Sequence, residues 1–173
     1  MTSTKSNGDY VVKQYEEWWN VNSDPSTPGQ RGTIATLRRA RNTTDILMVP
    51  QALKLVTRFH EITDSHIVTI GVLSHVRENS KKPIMCDLGV QPNGTKETAK
   101  LKEVRFRRLI ETSKRDLLDP MRRLIHLNNN QANVHNLCRV LLYWGETIKK
   151  ELIYQYYGVA QFHSDQENQI TTQ

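Results

Sequence analysis

The strongest constraint on the fold is an apolar stripe in the last third of the chain. Between residues 134 and 157, Val134, Leu137, Cys138, Leu141, Gly145, Ile148, Leu152 and Tyr156 recur at steps of one, three or four. At about 100° per residue these positions fall within an arc of about 100°, one face of a helix. The stripe predicts a single continuous core helix, which at about 1.5 Å per residue would run about 36 Å and cross a small domain. Asn133 is placed to cap its first turn, and Gly158 to end its last in the left-handed conformation. Gly145 lies on the stripe, where a glycine costs up to about 1 kcal/mol against alanine, and so predicts a helix crossing too close for a Cβ.

The remaining segments follow the same helical period, which predicts an all-α helical bundle of about six to eight helices organised by the long C-terminal one. Residues 1–8 read as a polar tail. A helix over 9–21 carries Val11, Val12, Tyr15, Trp18 and Trp19, with one tryptophan turned to the core and the other to a rim. The stretch 22–32 concentrates proline, glycine and aspartate and reads as a loop. A short helix over 33–41, capped by Thr33, is anchored by Ile34 and Leu37, and Pro50 opens another to residue 62. Over 65–77, Ile67, Val68, Ile70, Val72, Leu73 and Val76 surround the axis, which predicts a helix buried on most sides, with a β-strand over 67–72 as the alternative. Residues 78–96 read as a long, mobile connection. Helices are expected over 96–112 and 114–127, and the amide-rich 128–131 leads into the last one. The organisation expected is one domain over 9–160, with an N-terminal part 9–77, the connection 78–96 and C-terminal helices 97–158, then a disordered tail 161–173.

A chain of 173 residues can bury a sizeable core without staples. Its two cysteines, Cys86 and Cys138, sit in unrelated contexts, which points to reduced thiols and a cytoplasmic location. No apolar run approaches a membrane span, and residues 1–9 lack the apolar core of a signal peptide, so no membrane partner is expected.

Lys and Arg total 24 against 18 Asp and Glu, a net charge of +6. Such an excess favours polyanions where it is clustered. Two clusters stand out. Arg31, Arg38, Arg39 and Arg41 occur with no acid from residue 31 to 42. On a continuous helix Arg31 would lie about 20° from Arg38, with Arg41 about 60° further round, a face suited to phosphates. From residue 100 to 123, nine basic residues, among them Arg105, Arg107, Arg108, Arg122 and Arg123, stand against four acids. On the 114–127 helix Arg123 points away from the apolar face and Arg122 sits at its edge. One could grip a phosphate while the other lines a helix junction. The alternative for both clusters is a solvated or salt-bridged surface.

Enzyme signatures are absent. No phosphate-binding glycine loop, HExxH, paired CxxC or GxSxG occurs, so neither catalytic residues nor a cofactor are expected. His135 and Cys138 lie three apart, but two ligands do not make a zinc site, and no metal is expected. His126, near Arg122 and Arg123, lacks the partner a general acid needs and fits a structural or phosphate-contacting role.

Arg139-Val-Leu-Leu-Tyr-Trp-Gly145, the Lys149-Lys150-Glu151 that follows, Met121-Arg122-Arg123-Leu124-Ile125 before it, and the early Trp18-Trp19 and Leu37-Arg38-Arg39-Ala40 occur in a definite order. Together they resemble the CasB family, the small subunit of the type I-E CRISPR surveillance complex Cascade. The likeness covers about residues 10–157 and is strongest from residue 103. It implies an all-helical, non-enzymatic subunit of antiviral defence. It also implies partners: a guide-RNA-containing complex with repeated backbone subunits and a large subunit, a second copy of the chain, the target DNA strand and the displaced single strand. Arg38, Arg39, Arg105, Arg108, Arg122 and Arg123 fall at or beside the family's basic positions, where they would stabilise an R-loop through backbone contacts. The 22–32 loop and the tail after Gly158 depart from the pattern. A stand-alone helical DNA-binding regulator using 100–110 as its recognition helix, or a purely structural assembly subunit, are the alternatives.

Overall fold

The computed structural model describes residues 3–159 except 25, 28 and 60, with side chains described from residue 8. The tail expected at 161–173 lies outside the described residues. The architecture is all-α, with ten α-helices and one minimal pair of strands among the described residues. The helices are shorter and more numerous than the sequence periods predict.

The centre of the bundle is α5 (Asp64–Leu73), in which every residue from Ile67 to Leu73 is buried. Helices α1 (Ser3–Ser23), α2 (Gln30–Arg39), α3 (Thr43–Leu47), α4 (Pro50–Val56), α8 (Leu118–Leu127) and α9 (Val134–Leu142) all pack on it. β-branched residues pack closely here because apolar neighbours surround the axis, so the helix prevails over the strand alternative. Two of its buried hydroxyls bond locally: Thr69 donates to the Ser65 carbonyl at 2.6 Å, and Ser74, at the C-cap, to Gly71 at 2.9 Å. Gly71 sits at a close approach. A Cβ there would meet Ile46 Cδ1 at 2.5 Å and Leu118 Cδ1 at 2.8 Å.

The expected C-terminal rod is two helices, α9 and α10 (Glu146–Tyr156), broken at Tyr143–Gly145. On a continuous helix Arg139 and Glu151 would lie about 18 Å apart along the axis, yet they form an ion pair across the bend. The stripe keeps its period through the break because each half has its own surface to cover, α9 against α5 and α1, and α10 against α6 (Ile84–Leu88). Trp144 secures the break: its indole is buried and donates to the Thr112 carbonyl at 3.1 Å. Gly145 marks no close crossing, since a Cβ there would meet only the Tyr143 carbonyl at 3.7 Å.

The close crossing lies instead at Gly89, where a Cβ would run into the Tyr156 and Met85 carbonyls. This belongs to the segment read as a mobile connection. Its Glu78–Asn79 (β1) pairs in parallel with Gln131–Ala132 (β2), and its α6 buries Ile84, Met85 and Leu88 against α10. The Val90 amide donates to the Tyr156 carbonyl at 2.7 Å. Asn129 and Asn130 take left-handed φ of 56° and 61°, a region asparagine tolerates, and so turn α8 into β2.

Other boundaries moved by about one to two turns. α1 begins at Ser3, overlapping the expected polar tail, and α2 begins at Gln30 after a left-handed Gly29 rather than at a Thr33 cap. α4 ends at Val56, and the 96–112 helix is reduced to α7 (Glu103–Glu111). A 3-10 turn, Lys114–Asp116, precedes α8. No helix among the described residues is long and apolar enough to cross a membrane.

Candidate nucleic-acid interface

The arginines expected to touch nucleic acid divide by what already holds their guanidinium groups. Arg122 is only 8% exposed and is committed inward. α8 buries Leu118, Met121, Leu124 and Ile125, which turns Arg122 into the junction with α2 and α5. There its Nη1 donates to the Ala40 carbonyl at 2.7 Å, Nη2 to Leu37 at 3.1 Å and Nε to Gly71 at 3.3 Å. It lines a helix junction rather than a surface, which corrects its place among the surface arginines. Burial depresses its pKa, and Asp119 offsets part of that effect.

Arg123, one residue on, is exposed, and so are Arg39, Arg105 and Arg108. None of these four has an ion-pair partner among the described residues. Arg107 differs. Its Nη2 binds Glu103 at 2.9 Å, and that carboxylate also takes a hydrogen bond from Tyr157 at 2.9 Å and faces Lys96 at 3.4 Å. Arg107 first, then Tyr157, holds the Glu103 carboxyl at about 2.

The expected four-arginine face does not form as drawn. α2 ends at Arg39, so Arg41 leaves the helix, and its backbone amide donates to Asp45 at 2.8 Å. Arg31 and Arg38 do share a face. They line a cleft of about 330 Å³ with Asn22 from the end of α1, Ile34, Val76 and Arg77. Arg38 is half-buried and anchored by a 2.6 Å bond from Nε to the Ser74 carbonyl. Burial lowers its pKa, and the neighbouring charge of Arg77 lowers it further. Arg77 was not among the expected site residues. Its signal in the sequence was faint, a single arginine just after a mostly apolar helix, and only the packing of α5 beside α2 brings it to the cleft.

The described histidines pair with other side chains. His75 Nδ1 lies 3.2 Å from His126 Nε2 with the rings edge to face, and His135 Nδ1 lies 3.2 Å from the Glu16 carboxylate, while Cys138 is buried. Burial, then Arg122, pushes His75 down to about 4. No group of three or more potential metal ligands occurs among the described residues. Trp19 is buried and donates to the Val76 carbonyl at 3.2 Å, so it holds one wall of the cleft, while Trp18 is half-buried at the rim.

No protein-family model matches the sequence, and no curated protein matches it. A solved structure shares the fold. A chain of E. coli Cascade, in its crystal structure bound to a PAM-containing double-stranded DNA target, aligns at a TM-score of 0.58 and 16% identity. The alignment covers 85% of this chain and 91% of that one.

Proposed function

We propose that the chain is the CasB-like small subunit of a type I-E RNA-guided surveillance complex. In this reading it is non-catalytic, acts in the cytoplasm, and holds the backbones of the target and displaced strands with surface arginines. The observation that carries the reading is the set of exposed, unpaired guanidiniums at Arg39, Arg105, Arg108 and Arg123, on a fold like that of a chain in a DNA-bound Cascade. Guanidinium groups suit phosphate oxygens, and phosphate contacts position a strand without reading its bases. Opening a duplex against a guide is nearly balanced in energy, so backbone contacts of this kind tip the exchange. Guide-RNA-bearing backbone subunits, a large subunit and a second copy of the chain are the partners this role requires.

Native purification of the tagged chain, with mass analysis of everything that accompanies it, tests the proposal. The expected result is a multi-subunit particle holding one short RNA of uniform length. Recovery of the chain alone, or with DNA fragments of mixed length, would overturn it and favour a stand-alone DNA-binding regulator.

A further inference from the structure

The cleft between the end of α1, the outer face of α2 and the segment after α5 is not explained by the needs of the fold. Arg31, Arg38 and Arg77 line it, and none of them has an ion-pair partner among the described residues. Asp24 is the single acid on its wall, and its Oδ1 already accepts from the amide and hydroxyl of Ser26 at 2.8 and 2.7 Å. Like charges gathered in a recess repel one another unless an anion joins them.

A second observation points to the same place. Asn22, on the wall of the cleft, is only 7% exposed. Its Nδ2 donates to the Trp18 carbonyl at 2.7 Å, which leaves Oδ1 as the acceptor. That Oδ1 is buried and has no hydrogen-bond partner. An orphaned acceptor in a folded protein is costly, and a rotation of the Asn22 amide toward the cleft would give it an outside donor. Ile34 and Val76 add an apolar wall. The cleft thus offers guanidinium donors and an apolar surface within about 330 Å³, with the unmet Asn22 acceptor just behind its wall. That volume is at the lower end of the range of small-molecule sites.

We propose that this cleft is a nucleotide subsite: it takes one phosphate of a single strand between Arg31, Arg38 and Arg77, with the attached sugar and base against Ile34 and Val76 and a donor on Asn22. The choice of ligand class rests on the nucleic-acid reading above, while the cleft itself does not. A free inorganic anion would use the guanidiniums but leave Asn22 unmet. An acidic peptide would likewise bring carboxylates to the cations.

The test is a nuclear magnetic resonance titration of the full chain. The Arg38 Nε–H and the Asn22 side-chain amide are both held by hydrogen bonds to backbone carbonyls and serve as local reporters. Thymidine 5′-monophosphate is expected to shift both saturably at one equivalent. Thymidine and inorganic sulfate should fail to saturate them. R31A and R77A, at exposed positions, should each weaken binding about tenfold or more at unchanged Tm, the loss expected for a charged hydrogen bond. R105E/R108E should leave mononucleotide binding unaltered.

Sulfate saturating the reporters as well as the nucleotide would overturn the subsite, and so would a decaglutamate peptide binding there more tightly. If the mononucleotide and an oligothymidylate decamer shift only resonances around Arg105, Arg108 and Arg123, the cleft is excluded and the nucleic-acid reading survives. If the cleft saturates but the purified chain carries no guide RNA, the subsite stands and the surveillance-complex role falls.

Discussion

Arg122 donates from Nη1 to the Ala40 carbonyl at 2.7 Å across 82 residues of chain, and the same guanidinium holds Leu37 and Gly71. Three segments distant in sequence are joined by one cation with no carboxylate in contact among the described residues. Arg122 and Arg123 are adjacent and chemically identical, yet one belongs to the interior and the other to the surface. Their variants should therefore separate. R122M leaves the Ala40 carbonyl buried and unmet, and is expected to cost about 3 kcal/mol of stability, visible in denaturant unfolding. R123E is expected to leave unfolding unchanged and weaken binding to single-stranded DNA. A stable R122M protein that had lost DNA binding would reverse the assignment.

Arg105 and Arg108 have no ion-pair partner among the described residues, whereas Arg107 is held by Glu103. R105A or R108A should each reduce the salt dependence of oligonucleotide binding by about 0.7 in slope, one single-strand phosphate contact. R107A should change it little. In E103Q the carboxylate is neutralised, and Arg107 should then begin to contribute. Equal slopes for all three alanine variants would contradict this division.

Glycine substitutions should report the packing directly. At Gly89 a Cβ meets backbone carbonyls of α6 and α10, and at Gly71 it meets Ile46 and Leu118. G89A and G71A are each expected to destabilise by about 1–3 kcal/mol, the usual cost of overpacking. Gly145 has an open surround and an extended φ of −178°. G145A should cost no more than about 1 kcal/mol, as alanine replaces glycine at a helix N-cap. Thermal unfolding of the three variants gives the order.

His75 supplies a pH signature. Burial first, then Arg122, His126 and Arg38, holds it at about 4 in the folded state against an ordinary value of 6.5. The unfolded chain therefore takes up a proton below pH 6.5 that the folded chain refuses until near pH 4. Stability falls as pH drops through that window and levels below it. His66, lowered by burial and then by Lys114, adds to the slope. H75Q should flatten the dependence measured by denaturant midpoints between pH 6.5 and 4. An unaltered slope would mean that His75 is charged in the fold.

The tryptophan of the Tyr-Trp-Gly segment acts in the fold. W144F keeps a ring for the buried site but loses the donor to the Thr112 carbonyl, leaving that acceptor bare beside α7. A loss of about 1–2 kcal/mol is expected, with faster amide exchange at 143–146. Unchanged exchange there would remove the anchoring role.

Periodicity alone determined a good deal of this protein. The 3.6-residue recurrence of apolar side chains points to the all-α class, the burial of the 67–73 segment and the outward Arg123, because a helix fixes which residues share a face whatever it packs against; it leaves open which of Trp18 and Trp19 faces inward. The same rule kept the 134–157 stripe in phase through a bend, so a broken rod and a straight one read alike. Only the tertiary structure decided that break, since the alternatives differ in what α10 lies on, the short α6 that the sequence presents as a polar connection. It also decided which cations are free. The fate of Arg122 and Arg38 depends on carbonyls brought from other parts of the chain, whereas Arg107 pairs with Glu103 one turn back on its own helix. Arg77 joins the cleft only because α5 lies against α2, a contact between segments 36 residues apart at Arg38 and Ser74. Local pattern reports the face of a helix, while the partner of a long, flexible guanidinium is set by long-range packing, which no local period encodes.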